Sequence, residues 1–151
     1  SAGGTRLQKS KGIVDSPQQL YDDSMKMGHG KPNPEILRLY VDNAAGAAGS
    51  TGRGEANLLT CGAHTVVEFL RDGLAPEEAC LRALKRIAEK THHVPRHRDE
   101  KGRPTFNVNF YCVDAAGRAA GAAIWSESRY VVADAEGVRT LDSAYLYKRE
   151  P

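Results

Sequence analysis

Between Leu59 and Cys112 the spacing of apolar residues changes period, and this change constrains the fold more than any other feature of the chain. Leu59, Ala63, Val66 and Leu70 recur at steps of four, three and four, which predicts a helix over 55–71 with one apolar face. Asp72-Gly73 ends that element. "APEEACLRALKRIAEK" opens the next, with Pro76 near its first turn, acids ahead of bases, and Cys80, Ala83, Leu84 and Ile87 as the buried stripe. Two such helices joined by a short turn pack as an antiparallel pair. After the polar loop "THHVPRHRDEKGRP", Phe106, Val108, Phe110 and Cys112 alternate with Asn107, Asn109 and Tyr111, the pattern of a half-buried strand. "DAAG" and "DAEG" read as turns between further strands, "RAAGAAIWS", "ESRYVVA" and a final segment ending "SAYLYKR". The expected class is α+β: a helix pair followed by an antiparallel strand meander.

Upstream, Ser16-Pro17 is a capping residue followed by proline at the first helical position, which predicts a helix over Ser16 to Met27. "GHGKPNP" breaks it, and Asn33-Pro34 repeats the signal for the shorter element "EILRLYV". The small residues of "NAAGAAGS" permit close backbone approach and lead into "GSTGRGEAN", Gly49 to Asn57. If Thr51 and Gly52 sit at a strand-to-helix turn, their polar groups and the following helix N-terminus face the same side. Glycine lets the backbone come close to a ligand, and N–H groups there suit an anion or a developing oxyanion. The plain alternative is a glycine-rich helix cap.

At 151 residues, 40% hydrophobic and 26% charged, the chain suits one soluble globular domain. A net charge of +2 without a long basic run does not fit a nucleic-acid binder. Arg96, Arg98, Lys101 and Arg103 are interrupted by Asp99 and Glu100 and read as a solvated loop. No run reaches the roughly 18–20 apolar residues of a membrane span, and the stretch from Ser1 lacks the charged-then-apolar pattern of a secretory segment. The expectation is a soluble cytoplasmic or periplasmic protein. Cys61, Cys80 and Cys112 are odd in number and lie in apolar surroundings, as reduced core thiols do. His92, His93 and His97 fall in a basic, proline-containing loop with no helical pair or nearby cysteine to fix metal geometry, so no metal is expected. Trp125, Tyr130, Tyr145 and Tyr147 lie in strand segments and read as core or interface packing.

The run "LYVDNAAGAAGSTGRGEANLLTCGAHTVVEFLRDGLAPEEACLRALKRIAEKT", continued by "FYCVDAAGRAAGAAIWSESRYVV", resembles the C-terminal subunit of the glycosylasparaginase family, which is related to the isoaspartyl peptidase/asparaginases. The resemblance covers residues 39–151 and divides the chain there from an atypical segment, 1–38. It implies part of the αββα sandwich of an N-terminal nucleophile hydrolase, made by a precursor that cleaves itself to expose a threonine. That hydroxyl attacks the side-chain amide carbonyl of an asparagine derivative while its own α-amine serves as base. Carried onto "TGRGE", the resemblance implies Thr51 and Gly52 as the oxyanion hole and Gly54 as a holder of the substrate's α-amino end. It also implies no metal or organic cofactor, a second (alpha) chain, and a homodimer of such heterodimers.

The upstream part departs from that family. "GIVDSP", Gly12 to Pro17, is a partial echo of its "GRVGDSP"; it offers Asp15 as the partner of the substrate amine and supplies no matching arginine. Ser1, a hydroxyl residue with an α-amine if it is a true N-terminus, is the candidate replacement for the nucleophile. Residues 1–43 instead resemble the segment after the flavin-contacting "SAGG" of fumarate reductase-type flavoproteins. The G-x-G-x-x-G that such a flavoprotein needs in a strand–helix setting is missing from the sequence. Three readings follow: an amidohydrolase subunit, a non-catalytic chain keeping the fold and acting through assembly, and a flavoprotein fragment.

Overall fold

A computed structural model describes residues 39–150. The element that opens it is a strand, β1 (Leu39–Asp42), and not the end of a capped helix. Its four residues pair antiparallel with β2 (Gly46–Gly52), from Leu39 opposite Gly49 to Asp42 opposite Gly46. Asp42 closes the turn by accepting the Ala44 N–H at 2.8 Å and the Arg71 guanidinium at 2.6 Å.

The predicted first helix is two helices. α1 (Gly54–Leu58) and α2 (Gly62–Arg71) are separated at Cys61, whose φ of 48° and ψ of 46° are left-handed. The Thr60 hydroxyl donates to Asn57 O at 3.0 Å and the Thr65 hydroxyl to Thr60 O at 3.0 Å, giving the interrupted backbone polar partners. The break turns Leu59 out to 74% exposure, so it leaves the predicted apolar face, while Ala63, Val66 and Leu70 stay buried. Cys61 is exposed as well, which corrects its reading as a core thiol.

α3 (Pro76–Lys90) matches its prediction: Pro76 lies in its first turn with Glu77 and Glu78, Lys90 in its last, and Cys80, Ala83, Leu84 and Ile87 are buried. Arg82 and Arg86 hold their guanidinium carbons 5.5 and 5.7 Å from the Phe69 ring, tying α3 to α2.

β3 (Val108–Asp114) pairs antiparallel with β2 on one side and with β4 (Ala119–Trp125) on the other. The alternation holds: Val108, Phe110 and Cys112 are buried in the core that α2 and α3 cover, and Asn109 and Tyr111 occupy the opposite face. The expected continuation of the meander differs. β5 (Arg129–Asp134) and β6 (Gly137–Asp142) form a separate two-stranded sheet, and β7 (Ala144–Tyr147) joins β4 in parallel. Only Ser143 separates β6 from β7. A reversing hairpin uses at least about two loop residues, so the chain keeps its direction and enters beside β4. The result is an α+β fold, a helical layer on one face of a mixed sheet ordered β1-β2-β3-β4-β7. This layer pair is compatible with one half of an αββα sandwich.

The basic loop is more ordered than a solvated run. Asp99 accepts the backbone N–H of Arg103 at 2.8 Å and its Nε at 2.8 Å, and the Arg103 guanidinium lies 5.0 Å from the Trp125 ring. Trp125 packs 5.5 Å from Tyr147 and donates its indole N–H to Pro104 O at 2.9 Å, while the Tyr130 ring lies against Gly121. Tyr145 is exposed.

Two carboxylates at one end of the sheet, both in register with Gly46, make stability depend on acid. The Ala44 N–H and the Arg71 guanidinium hold Asp42 below the ordinary carboxylate range. At Asp114 burial pushes the pKa up, but the Arg118 N–H and guanidinium outweigh it and hold that carboxyl low as well. A depressed folded pKa means fewer bound protons than in the unfolded chain. The contribution is therefore complete above the unfolded value of about 3.9 and is lost as pH falls through the lower folded values. The urea midpoint of the parent should fall between pH 5 and pH 3 more steeply than that of an Asp42→Asn/Asp114→Asn double variant. Equal slopes would refute this assignment.

Candidate functional site

Thr51 and Gly52 end β2, Arg53 caps α1, and Gly54 opens it, so the "TGRGE" run is a strand-to-helix turn. Alternation along β2 sends neighbouring side chains to opposite faces. Ser50 points to the helical side, where the buried Asn57 of α1 donates to its hydroxyl at 2.7 Å. That bond ties the helix to the strand it follows. Gly62 makes room for Asn57: a Cβ there would lie 2.1 Å from Asn57 Oδ1 and 2.5 Å from Phe110 Cζ.

Thr51 is exposed on the other face, and residues of β3 converge on its hydroxyl. Tyr111 OH is 2.9 Å from Thr51 Oγ1, and Asn109 Nδ2 donates to the same oxygen at 3.4 Å. A hydroxyl offers one proton and two lone pairs. Asn109 fills one lone pair, and the Thr51–Tyr111 bond can run either way; when Tyr111 donates, the Thr51 proton is free to donate outward.

Gly52 has a φ of +102°, and a Cβ on it would lie 2.4 Å from Asn107 O. The Arg53 N–H donates to Asn107 O at 3.1 Å, which makes Gly52 and Val108 a non-hydrogen-bonded pair. The Gly52 N–H therefore points away from β3, and among the described residues β1 pairs β2 no further than Gly49. One side-chain O–H and one backbone N–H thus stand at successive residues of a single turn, the donor types that stabilise an oxyanion.

Beside the turn, the Arg53 guanidinium carbon lies 5.3 Å from the Phe106 ring, and His97 meets that ring edge-on at 5.8 Å. Burial first, then the nearby Arg53 and Arg96 charges, lower the His97 pKa below its ordinary value. His93 goes elsewhere: it lines a cavity of about 640 Å³ with Cys61, His64, Arg86 and Lys90, which Thr51, Gly52 and Gly54 do not line. Ser1 and Asp15 lie outside the described residues.

Asn109 and Tyr111 were legible only as the polar phase of the alternating strand "TFNVNFYCV". Their place beside Thr51 comes from β2–β3 pairing, in which Thr51 faces Asn109 and Gly49 faces Tyr111.

No protein-family model matches the chain. Among curated proteins it is similar to an N(4)-(Beta-N-acetylglucosaminyl)-L-asparaginase of Elizabethkingia miricola, 34% identical over 110 residues, 73% of this chain and 31% of that protein. It is also similar to the Arabidopsis thaliana protein named "Probable isoaspartyl peptidase/L-asparaginase 3", 41% identical over 51 residues, 34% of this chain and 14% of the relative. A shorter likeness, 48% over 44 residues, is to an NADH:fumarate oxidoreductase of Klebsiella pneumoniae (strain 342), covering 29% of this chain and 5% of that protein. The chain thus spans under a third of the length of each of these relatives. No helix of the described residues is long and apolar enough to cross a membrane. The two asparaginase similarities, joined to an α+β fold, support a likeness to the glycosylasparaginases and isoaspartyl peptidase/asparaginases at family level.

Proposed function

We propose that residues 39–151 are the C-terminal subunit region of an amidohydrolase that cleaves the β-amide bond of an N4-substituted asparagine or an isoaspartyl peptide, and that residues 1–38 are a separate segment. The observation that carries this reading is the pair of donor groups at the end of β2: a threonine hydroxyl within hydrogen-bond distance of Asn109 and Tyr111, followed by a glycine at positive φ. In an N-terminal nucleophile mechanism a hydroxyl adds to the amide carbonyl and the carbonyl oxygen becomes negative. Thr51 Oγ1–H and the Gly52 N–H donate to that oxygen, and they stabilise it more than the neutral carbonyl of the bound substrate. Gly54, without a side chain at the mouth of α1, leaves room for the α-amino end of the substrate. Within this chain Ser1 is the candidate nucleophile and Asp15 the candidate partner of the substrate's amine; a second (alpha) chain completes the site, and the working particle pairs two such heterodimers. The reaction uses no metal or organic cofactor.

Intact-mass analysis and assay of the protein purified from its source test this reading. The expected result is a second chain, or a longer form opening on threonine, that releases free aspartate from glycosylasparagine or an isoaspartyl dipeptide. An assembled protein that releases none would overturn the reading and favour a chain that acts through assembly alone.

A further inference from the structure

Cys80 on α3 and Cys112 on β3 take no part in the turn at Thr51, yet they meet inside the core. Their sulfurs are 3.3 Å apart and both side chains are buried, whereas the third thiol, Cys61, is exposed. The odd cysteine count, read along the sequence, argues for isolated thiols; the fold resolves it into one pair and one outlier. We propose that Cys80 and Cys112 are a disulfide-forming pair, an oxidisable cross-link between the second helix of the helical layer and the central strand.

The sulfurs, 3.3 Å apart, must approach by roughly 1.3 Å to reach the ~2.05 Å of an S–S bond. The bond would close a loop between residues 32 apart in sequence. It would also fasten α3 to the sheet at the point where the helix buries its stripe.

The chemistry is two successive exchanges with a small-molecule disulfide such as oxidised glutathione. One cysteine, as thiolate, attacks a sulfur of the small disulfide; its S–S bond breaks, a mixed disulfide forms, and one small thiolate leaves. The second cysteine attacks the protein sulfur of the mixed disulfide and expels the other. Two protein thiols are oxidised, one small disulfide is reduced to two thiols, and the two protein protons end on the released thiols. The Cys112 sulfur beside it and then burial hold the Cys80 thiol protonated well above its ordinary range. Exchange is therefore slow while α3 is docked and proceeds when the helix opens or before it docks.

The full chain, denatured and reduced, is refolded in a glutathione redox buffer and in parallel with excess reductant. Oxidative refolding should lower the mass by roughly 2 Da, join the Cys80 and Cys112 peptides in a non-reduced digest, and raise the melting temperature by roughly 5–10 °C. A Cys61→Ser variant should behave as the parent does. Cys80→Ala and Cys112→Ala should each lose the cross-link, and folded parent given the same buffer should react far more slowly than the refolding chain. Both thiols retained, glutathione adducts without a cross-link, cross-links through Cys61, or a lower melting temperature on oxidation would each overturn the proposal. None of these readouts depends on hydrolase activity.

Discussion

Thr51→Val should lower turnover of a β-aspartyl amide by about 10²- to 10³-fold, the range found when one oxyanion donor is removed, while KM stays near that of the parent. Valine keeps the branched shape and β preference of threonine but has no hydroxyl. Thr51 is exposed at the end of β2, so the substitution opens no cavity in the core. The damage should fall on the developing negative charge and leave ground-state binding almost untouched, because the donor acts on an oxygen that is neutral until the nucleophile adds. The measurement is steady-state kinetics on the protein from its source with its full complement of chains, beside a thermal melt. Thr51→Ser, which keeps the hydroxyl, should retain most of the activity. Parental turnover in the valine variant would remove Thr51 from the chemistry, and a rise in KM alone would make it a substrate-holding residue.

Gly52→Ala should destabilise the fold by about 2–6 kcal/mol, since it combines two faults each worth about 1–3 kcal/mol. The φ of +102° is one that side chains rarely adopt, and the new Cβ would meet Asn107 O at 2.4 Å and Val108 Cα at 3.1 Å. Both atoms belong to the backbone at the start of β3 and its approach, so no side-chain rotation relieves the contact. Relief requires the end of β2 to move away from β3, which would break the Arg53 N–H bond to Asn107 O and shift Thr51 from Asn109 and Tyr111. Urea unfolding followed by circular dichroism measures the loss. A change below about 1 kcal/mol would mean that the turn relaxes without strain, and the positive φ would then not be what fixes the geometry of the donors.

Local periodicity and capping suffice to place some of the elements. α3 runs from its predicted proline with its predicted stripe inside, and β3 alternates as read, because each pattern repeats often enough to outweigh any single residue. The strand-to-helix turn at Thr51 and Gly52 was legible for the same reason: small residues and glycine precede a helical period. Where one residue decides the path, the pattern misled. Cys61 in a left-handed conformation splits a helix that periodicity runs straight through, and Ser143 alone turns an expected antiparallel meander into a parallel β4–β7 pair. Contacts distant in sequence were invisible for a different reason. Thr51 lies 60 residues from Tyr111, and Cys80 lies 32 from Cys112. Strand register and helix docking bring these groups together, and both are set by the burial of Phe110, Leu84, Ile87 and their neighbours as a set. No local window of sequence holds that information. The residue types able to do the chemistry were therefore readable in the chain, while only tertiary packing decided which of them meet.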